Sequence, residues 1–238
     1  GYLIGGVPKN FSVSARLGST DFFVIEADEY DSAFFDKRSK FIHYMPRTCI
    51  MGNLEFDHAD IFRSVEDIQL QFQHLCKTIP QSGLIVAPTG SAALEQVFVV
   101  QGEKSKSLWC GLQRCGPAGS PAADWSYSPI SADGSVFRIQ HGNDSAEVQW
   151  TMLGDHNMQN ATAAIAAPTH DNAQTLLPHA EYIIQIGDLC ALRAAIVAIA
   201  RIRLAPFRFA VVFVLGAVAA APGAISTCHR FSSYALSC

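Results

Sequence analysis

Through roughly the first two thirds of the chain, short apolar runs alternate with longer stretches in which apolar residues recur every three or four positions. The runs "YLIGG" (2–6), "DFFVIEAD" (21–28), "TCIMGN" (48–53), "LIVAP" (84–88) and "SLWCG" (107–111) are rich in β-branched or aromatic residues. Each ends in Gly, Asp, Asn or Pro, the mark of a buried strand running into a turn. Between them, 64–79 places Val65, Ile68, Phe72, Leu75, Cys76 and Ile79 on one helical face. Ser64 stands where an N-cap belongs, with Asp67 three residues on in a capping-box-like arrangement. Residues 90–99 predict a shorter helix. Alternation of this kind calls for right-handed crossovers and a mostly parallel sheet.

The period changes to two over 124–153, where Asp133-Gly134 and Gly142-Asn143 are hairpin signals. An Ala-rich helix, "GDHNMQNATAAIAA" (154–167), follows, with Asp155, His156 and Asn157 in its first turn. The expected fold class is therefore α/β: a mostly parallel sheet flanked by helices, with an antiparallel β extension. Two regions are expected, 1–167 as the folded domain and 168–238 as an Ala-rich tail. The tail has no Lys and only three acids (Asp171, Glu181, Asp188), and 209–229 carries no charged side chain. That stretch meets the length of a membrane span, although Pro222 and its Gly and Ala content weaken the reading. A membrane span, a buried helical region and a tail outside the native coding frame all stand open for it. The chain begins at Gly1 directly on a strand-like run, which is expected of a piece lying inside a larger protein.

Composition narrows the partners. The net charge is −4 across 238 residues, without the Lys and Arg surplus that phosphate neutralisation on a nucleic acid requires. Seven cysteines (49, 76, 110, 115, 190, 228, 238) form no CxxC pair. An odd, irregular set suits reduced thiols in a cytoplasmic setting. Cys110 and Cys115 lack the second pair a zinc site needs.

Charge is scarce but concentrated. "EADEYD" (26–31) closes the strand at 21–28, and "NLEFDHAD" (53–60) closes the strand at 48–53. Parallel sheets bind ligands beyond the carboxyl ends of their strands. A carboxylate such as Glu26 and an imidazole such as His58 meeting there would hold a divalent cation. The plain alternative is that these acids cap helices and solvate loops. Asn157 and Asn160 share a helical face and offer paired amides suited to an adenine edge, and a simple N-terminal cap explains them equally. No GxxxxGK[ST], GxGxxG or GxSxG motif is present, and "GGVPKN" (5–10) is a weak phosphate cradle.

Taken together, "GYLIGGVPKNFSVSARLG", "DFFVIEADEYDSAFFDKRSKFIHYMPRT", "NLEFDHADIF" and "GDHNMQNATAAIAA" resemble the central, ATP-binding domain of the Mur ligases, closest to the murein-recycling branch. The resemblance runs from residue 1 to about 167. It implies an ATP-dependent ligase that joins L-alanyl-γ-D-glutamyl-meso-diaminopimelate, the murein tripeptide, to UDP-N-acetylmuramic acid. Such chemistry rests on positioning and on charge neutralisation by Mg²⁺. By resemblance, Glu26 and His58 are metal ligands, and His156, Asn157 and Asn160 contact ATP. Asn53 and Asp57 support the metal site, and Asn10, Ser14 and Arg16 lie in a substrate-side loop, while no residue is assigned to catalysis itself. The family's GTHGKTTT-like phosphate loop is not among these residues, and after Ala167 the pattern is replaced by the tail. The isolated chain is thus expected to be an inactive piece of such a ligase. A non-catalytic remnant and a membrane-anchored binding protein are the rival readings, with a metal-dependent hydrolase on Glu26, Asp57 and His58 further behind.

Overall fold

The computed structural model describes residues 1–5, 12–18, 22–27, 29–56, 61–99, 110–170 and 209–214, the last six by their backbone. The calls on 6–10 and 57–60, which include Asn10, Asp57 and His58, lie outside the described residues, as do those on 171–208 and 215–238.

The apolar runs do become strands, and they pair side by side. β1 (Tyr2–Leu3), β3 (Phe22–Ala27), β6 (Thr48–Met51), β7 (Leu84–Pro88), β8 (Gly111–Pro117) and β9 (Trp125–Pro129) all run parallel in one sheet. β2 (Ala15–Arg16) pairs antiparallel with β1 at one edge. At the other edge β10 (Val136–His141) and β11 (Asp144–Gln149) form the antiparallel extension anticipated from the period-two stretch. A last strand, β12 (Phe209–Val214), lies parallel between β3 and β6. The order across the described sheet is β11-β10-β9-β8-β7-β6-β12-β3-β1-β2.

Both faces of the central strands are buried, so they read as continuous apolar runs instead of alternating ones. Along β6 and β7, Ile50, Leu84 and Val86 join one core, while Cys49, Met51, Ile85 and Ala87 join the other. The first core lies under helix α3 (Asp155–Ala166), whose Ala161, Ala163, Ala164 and Ala166 are buried against the sheet. Small residues let the helix backbone come close to the strands. The second core lies under α1 (Val65–Thr78) and α2 (Ala92–Phe98). Phe72 of α1 meets Phe41 edge to face at 5.5 Å. The predicted face of α1 is the buried one, joined by Gln69, whose amide donates to the Ala93 carbonyl and to Gln96 on α2.

Several expectations need correction. Of the strand expected at 107–111, residues 107–109 lie outside the described residues, and the described strand runs from Gly111 on to Pro117. Ser64 is the N-cap of α1 but makes no side-chain bond to the helix N–H groups. Asp67 reaches back past the cap to the Arg63 N–H, 3.1 Å away, so the reciprocal bonds of a capping box are not made. Residues 31–39, of which only Asp31 was read from sequence as part of an acidic cluster, form a hairpin of β4 (Asp31–Ala33) and β5 (Asp36–Ser39). Its tip exposes Phe34 and Phe35 almost fully. Within 209–229, residues Phe209–Val214 are a strand, not part of a helix. Among the described residues no helix is long and apolar enough to cross a membrane.

Cys49, Cys76, Cys110 and Cys115 are all free and buried. Burial pushes the Cys76 thiol up to about 12 and raises Cys49 and Cys115 as well, which leaves them protonated and unreactive. Alkylation of the native protein at pH 8 is therefore expected to spare Cys49, Cys76 and Cys115, with full labelling only in denaturant. Peptide mass spectrometry reads this directly, and rapid native labelling of Cys49 would contradict the packing.

The Tyr127 hydroxyl donates to the Asp155 carboxylate at 3.1 Å, joining β9 to the first turn of α3. Burial first, and Asp155 second, push the phenol above its ordinary value. The folded state thus holds the proton more tightly than the unfolded one, and its contribution is complete below pH 10 and lost as pH rises further. Urea unfolding should show stability falling above pH 10 more steeply than in Tyr127→Phe. At pH 7 that variant should lose about 1 kcal/mol.

Candidate functional site

The carboxyl edge of the parallel strands gathers the site. Glu26 is the penultimate residue of β3, partly buried, and its Oε2 accepts the Gly5 N–H at 2.8 Å. This bond ties the end of β3 to the end of β1 and fixes the carboxylate at the sheet edge. From sequence Gly5 stood only near the end of a strand-like run and at the start of the weak cradle "GGVPKN", with no sign of a bond to Glu26. Two strands away, Asn53 follows β6 by two residues and is partly buried. The strand between them is β12, with Phe213 in register with Glu26 and Val214 in register with both Ala27 and Met51. Glu26 and the start of the 53–60 segment therefore flank the carboxyl end of one strand. Asp57 and His58 lie outside the described residues of that segment, and Glu55 is exposed.

The "EADEYD" cluster divides. Glu26 alone is described at the sheet edge. Glu29 is buried and Asp31 belongs to the β4–β5 hairpin, where it pairs with Lys37 at 2.6 Å. Ser14 comes to the same corner as Glu26, because its carbonyl accepts the Ile4 N–H at 2.9 Å beside Gly5. Arg16 sits further back, in register with Tyr2, with its guanidinium 5.7 Å from the Tyr2 ring centre.

The amino end of α3 opens on the same edge, at the turn that follows β9. The Asp133 carbonyl accepts the Gly154 N–H at 2.8 Å. The Asp133 carboxylate is held by the hydroxyls of Ser131 and Ser135 and by the Ser135 N–H, which push its pKa down to about 2. Gly154, the N-cap, has φ of 90°, a conformation side chains disfavour. His156 and the partly buried Asn157 and Asn160 follow it. The Asn157 amide donates to the Leu153 carbonyl at 2.7 Å, which ties the first turn of the helix to the segment that leads into it. In strand order, β9 stands four places from β12, so the Asn pair and Glu26 share an edge but not a strand.

Among the described residues no three His, Cys, Asp or Glu side chains gather to hold a metal ion. Glu26 offers a single fixed carboxylate. That fits Mg²⁺, which takes one or two protein carboxylates and completes its shell with water and phosphate oxygens. It does not fit a closed zinc centre, which needs four ligands.

The model of the Mur ligase middle domain matches residues 5–168. A UDP-N-acetylmuramate–L-alanyl-gamma-D-glutamyl-meso-2,6-diaminoheptandioate ligase of Escherichia coli is 47% identical over 171 residues, covering 71% of this chain and 35% of the relative. Its counterpart in Haemophilus influenzae is 46% identical over the same length, covering 36% of the relative. The chain thus spans about a third of the length of these curated relatives. Among solved structures, the UDP-N-acetylmuramate:L-alanyl-gamma-D-glutamyl-meso-diaminopimelate ligase of Neisseria meningitides aligns with a TM-score of 0.63 and 39% identity. That alignment covers 87% of this chain and 58% of the other. A murein peptide ligase of Psychrobacter arcticus aligns at 0.60 with 36% identity, covering 84% and 40%. With the middle-domain model matched along most of its length, the chain belongs to the Mur ligase family.

Proposed function

We propose that residues 5–168 supply the nucleotide- and metal-binding part of an ATP-dependent ligase that joins the murein tripeptide to UDP-N-acetylmuramic acid, in the cytoplasm. The observation that carries this reading is the 47% identity to a ligase of that name over the whole matched stretch. The fixed carboxylate of Glu26 at the carboxyl edge of the sheet supports it.

In this reading, ATP with Mg²⁺ supplies the phosphoryl group that activates the substrate carboxylate for attack by the peptide amine. The chain's own residues position and neutralise. Glu26, held by the Gly5 N–H, presents a hard oxygen ligand, and His58 is its partner from the segment after β6. Asn53 and Asp57 orient that segment. Asn157 and Asn160, with His156, face the adenine from the first turns of α3. Ser14 and Arg16, with Asn10, line the substrate side. UDP-N-acetylmuramic acid and the tripeptide are the partners, and neither nucleic acid nor a membrane is needed. These 238 residues hold no Gly-Lys-Thr phosphate loop, so on their own they do not ligate.

A chimera in which residues 5–168 replace the matching stretch of the Escherichia coli relative tests the reading. Tripeptide ligation, followed by coupled ADP release, is expected from the chimera and not from the 238-residue chain. Glu26→Gln or His58→Ala in the chimera should lower kcat at least 100-fold. Asn157→Ala should act mainly on the KM for ATP. A folded chimera that fails to ligate, or that keeps full activity with Glu26→Gln, would overturn the assignment.

A further inference from the structure

The family match ends at residue 168, yet the sheet it builds is closed by a strand from beyond it. β3 and β6 do not pair with each other. β3 pairs with β12 from Phe22↔Phe209 to Ala27↔Val214, and β6 pairs with it from Thr48↔Val211 to Met51↔Val214. Remove β12 and two facing strand edges remain, about 10 Å apart at the usual spacing of neighbouring strands. Both edges lie deep in the molecule: β6 is buried at every position, and Val24 of β3 is fully buried. Backbone N–H and C=O groups left unpaired there have no water to turn to. The matched segment therefore carries a vacancy one strand wide that something outside it must fill. The relatives, of which the matched stretch covers 35%, have ample chain from which to fill it.

We propose that this gap is a strand-acceptor site and that residues 209–214 are its occupant in this chain, a stand-in strand separable from the domain it completes. The sequence FAVVFV suits the place, being six consecutive apolar residues with no charge and no Pro, as a strand buried on both faces requires. The register suits it too, with unbroken parallel pairing to both neighbours. The occupant ends between the strands that carry Glu26 and Met51, beside the candidate site. In sequence it is followed by Leu215-Gly216-Ala217-Val218, and no Lys occurs from residue 168 to the end. A strand followed by a Gly-rich loop ending in Lys and Ser or Thr would bring a phosphate cradle to this position. The tail fills the slot without bringing one, and it excludes any strand that would. This last consequence rests on the nucleotide reading above, whereas the acceptor site does not.

The test uses the full 238-residue chain and needs no nucleotide. Val212→Pro removes a ladder N–H from the middle of the occupant. Hydrogen exchange by mass spectrometry should then show amides of 22–27 and 48–51 exchanging at least tenfold faster. Amides of 125–149, on β9 to β11, should be unchanged. A synthetic peptide of residues 207–216 added in excess should restore protection. Unchanged exchange in β3 and β6 would overturn the proposal, and so would a uniform loss across the sheet that the peptide does not reverse. A milder variant, Val212→Gly, keeps the ladder N–H but weakens the strand. It should raise exchange of the same amides by less than Val212→Pro does, and a rise spread equally over 125–149 would also overturn the proposal.

Discussion

A parallel sheet covered on both faces leaves its interior strands no access to solvent, so every strand edge inside it must be paired. That constraint governs this molecule. It explains why β6 and β7 are apolar at nearly every position, with successive residues feeding alternate cores. It explains why α3 is built from alanines on one side while α1 and α2 carry larger side chains on the other. It also explains why a strand from the far end of the chain lies in the middle of the sheet.

The same constraint places the chemistry. With both faces occupied by helices, the carboxyl edge is where polar groups are free to converge, and Glu26, Asn53, Ser14 and the amino end of α3 all open there. Backbone contacts hold them in place: the Gly5 N–H fixes Glu26, and the Asp133 carbonyl fixes Gly154 at the start of α3. A carboxylate anchored in this way suits chemistry that depends on positioning a metal and a nucleotide.

Much of this was legible in the sequence where periodicity is strong. The face of α1, the central strands β6 and β7 and the antiparallel extension follow from residue pattern alone. The β4–β5 hairpin was not legible, because it is a short, irregular pairing of Asp31 with Ser39 and Ala33 with Asp36, bridged by Asp31 and Lys37 across a turn tipped by two phenylalanines. An apolar pair in a turn carries no strand or turn signal. β12 was not legible for a different reason: six apolar residues inside a longer uncharged run fit a helix as well as a strand, and periodicity alone leaves the choice open. Of the residues proposed for the site, Glu26 and the Asn pair were chosen from motif order. The anchoring role of Gly5 could not, since it depends on a contact across 21 positions. The acidic cluster at 26–31 misleads by sequence proximity, because its members go to an edge, a core and a hairpin.

The central proposal is that Glu26 is a metal ligand at the carboxyl edge of the sheet, beside a bound nucleotide. The most direct measurement is anomalous diffraction from Mn²⁺ in crystals of an active chimera carrying residues 5–168, grown with a non-hydrolysable ATP analogue. The account predicts a Mn²⁺ peak within ligand distance of the Glu26 carboxylate, with His58 on its other side and the adenine against Asn157 and Asn160. A metal bound elsewhere, with Glu26 still bonded only to protein, would contradict it.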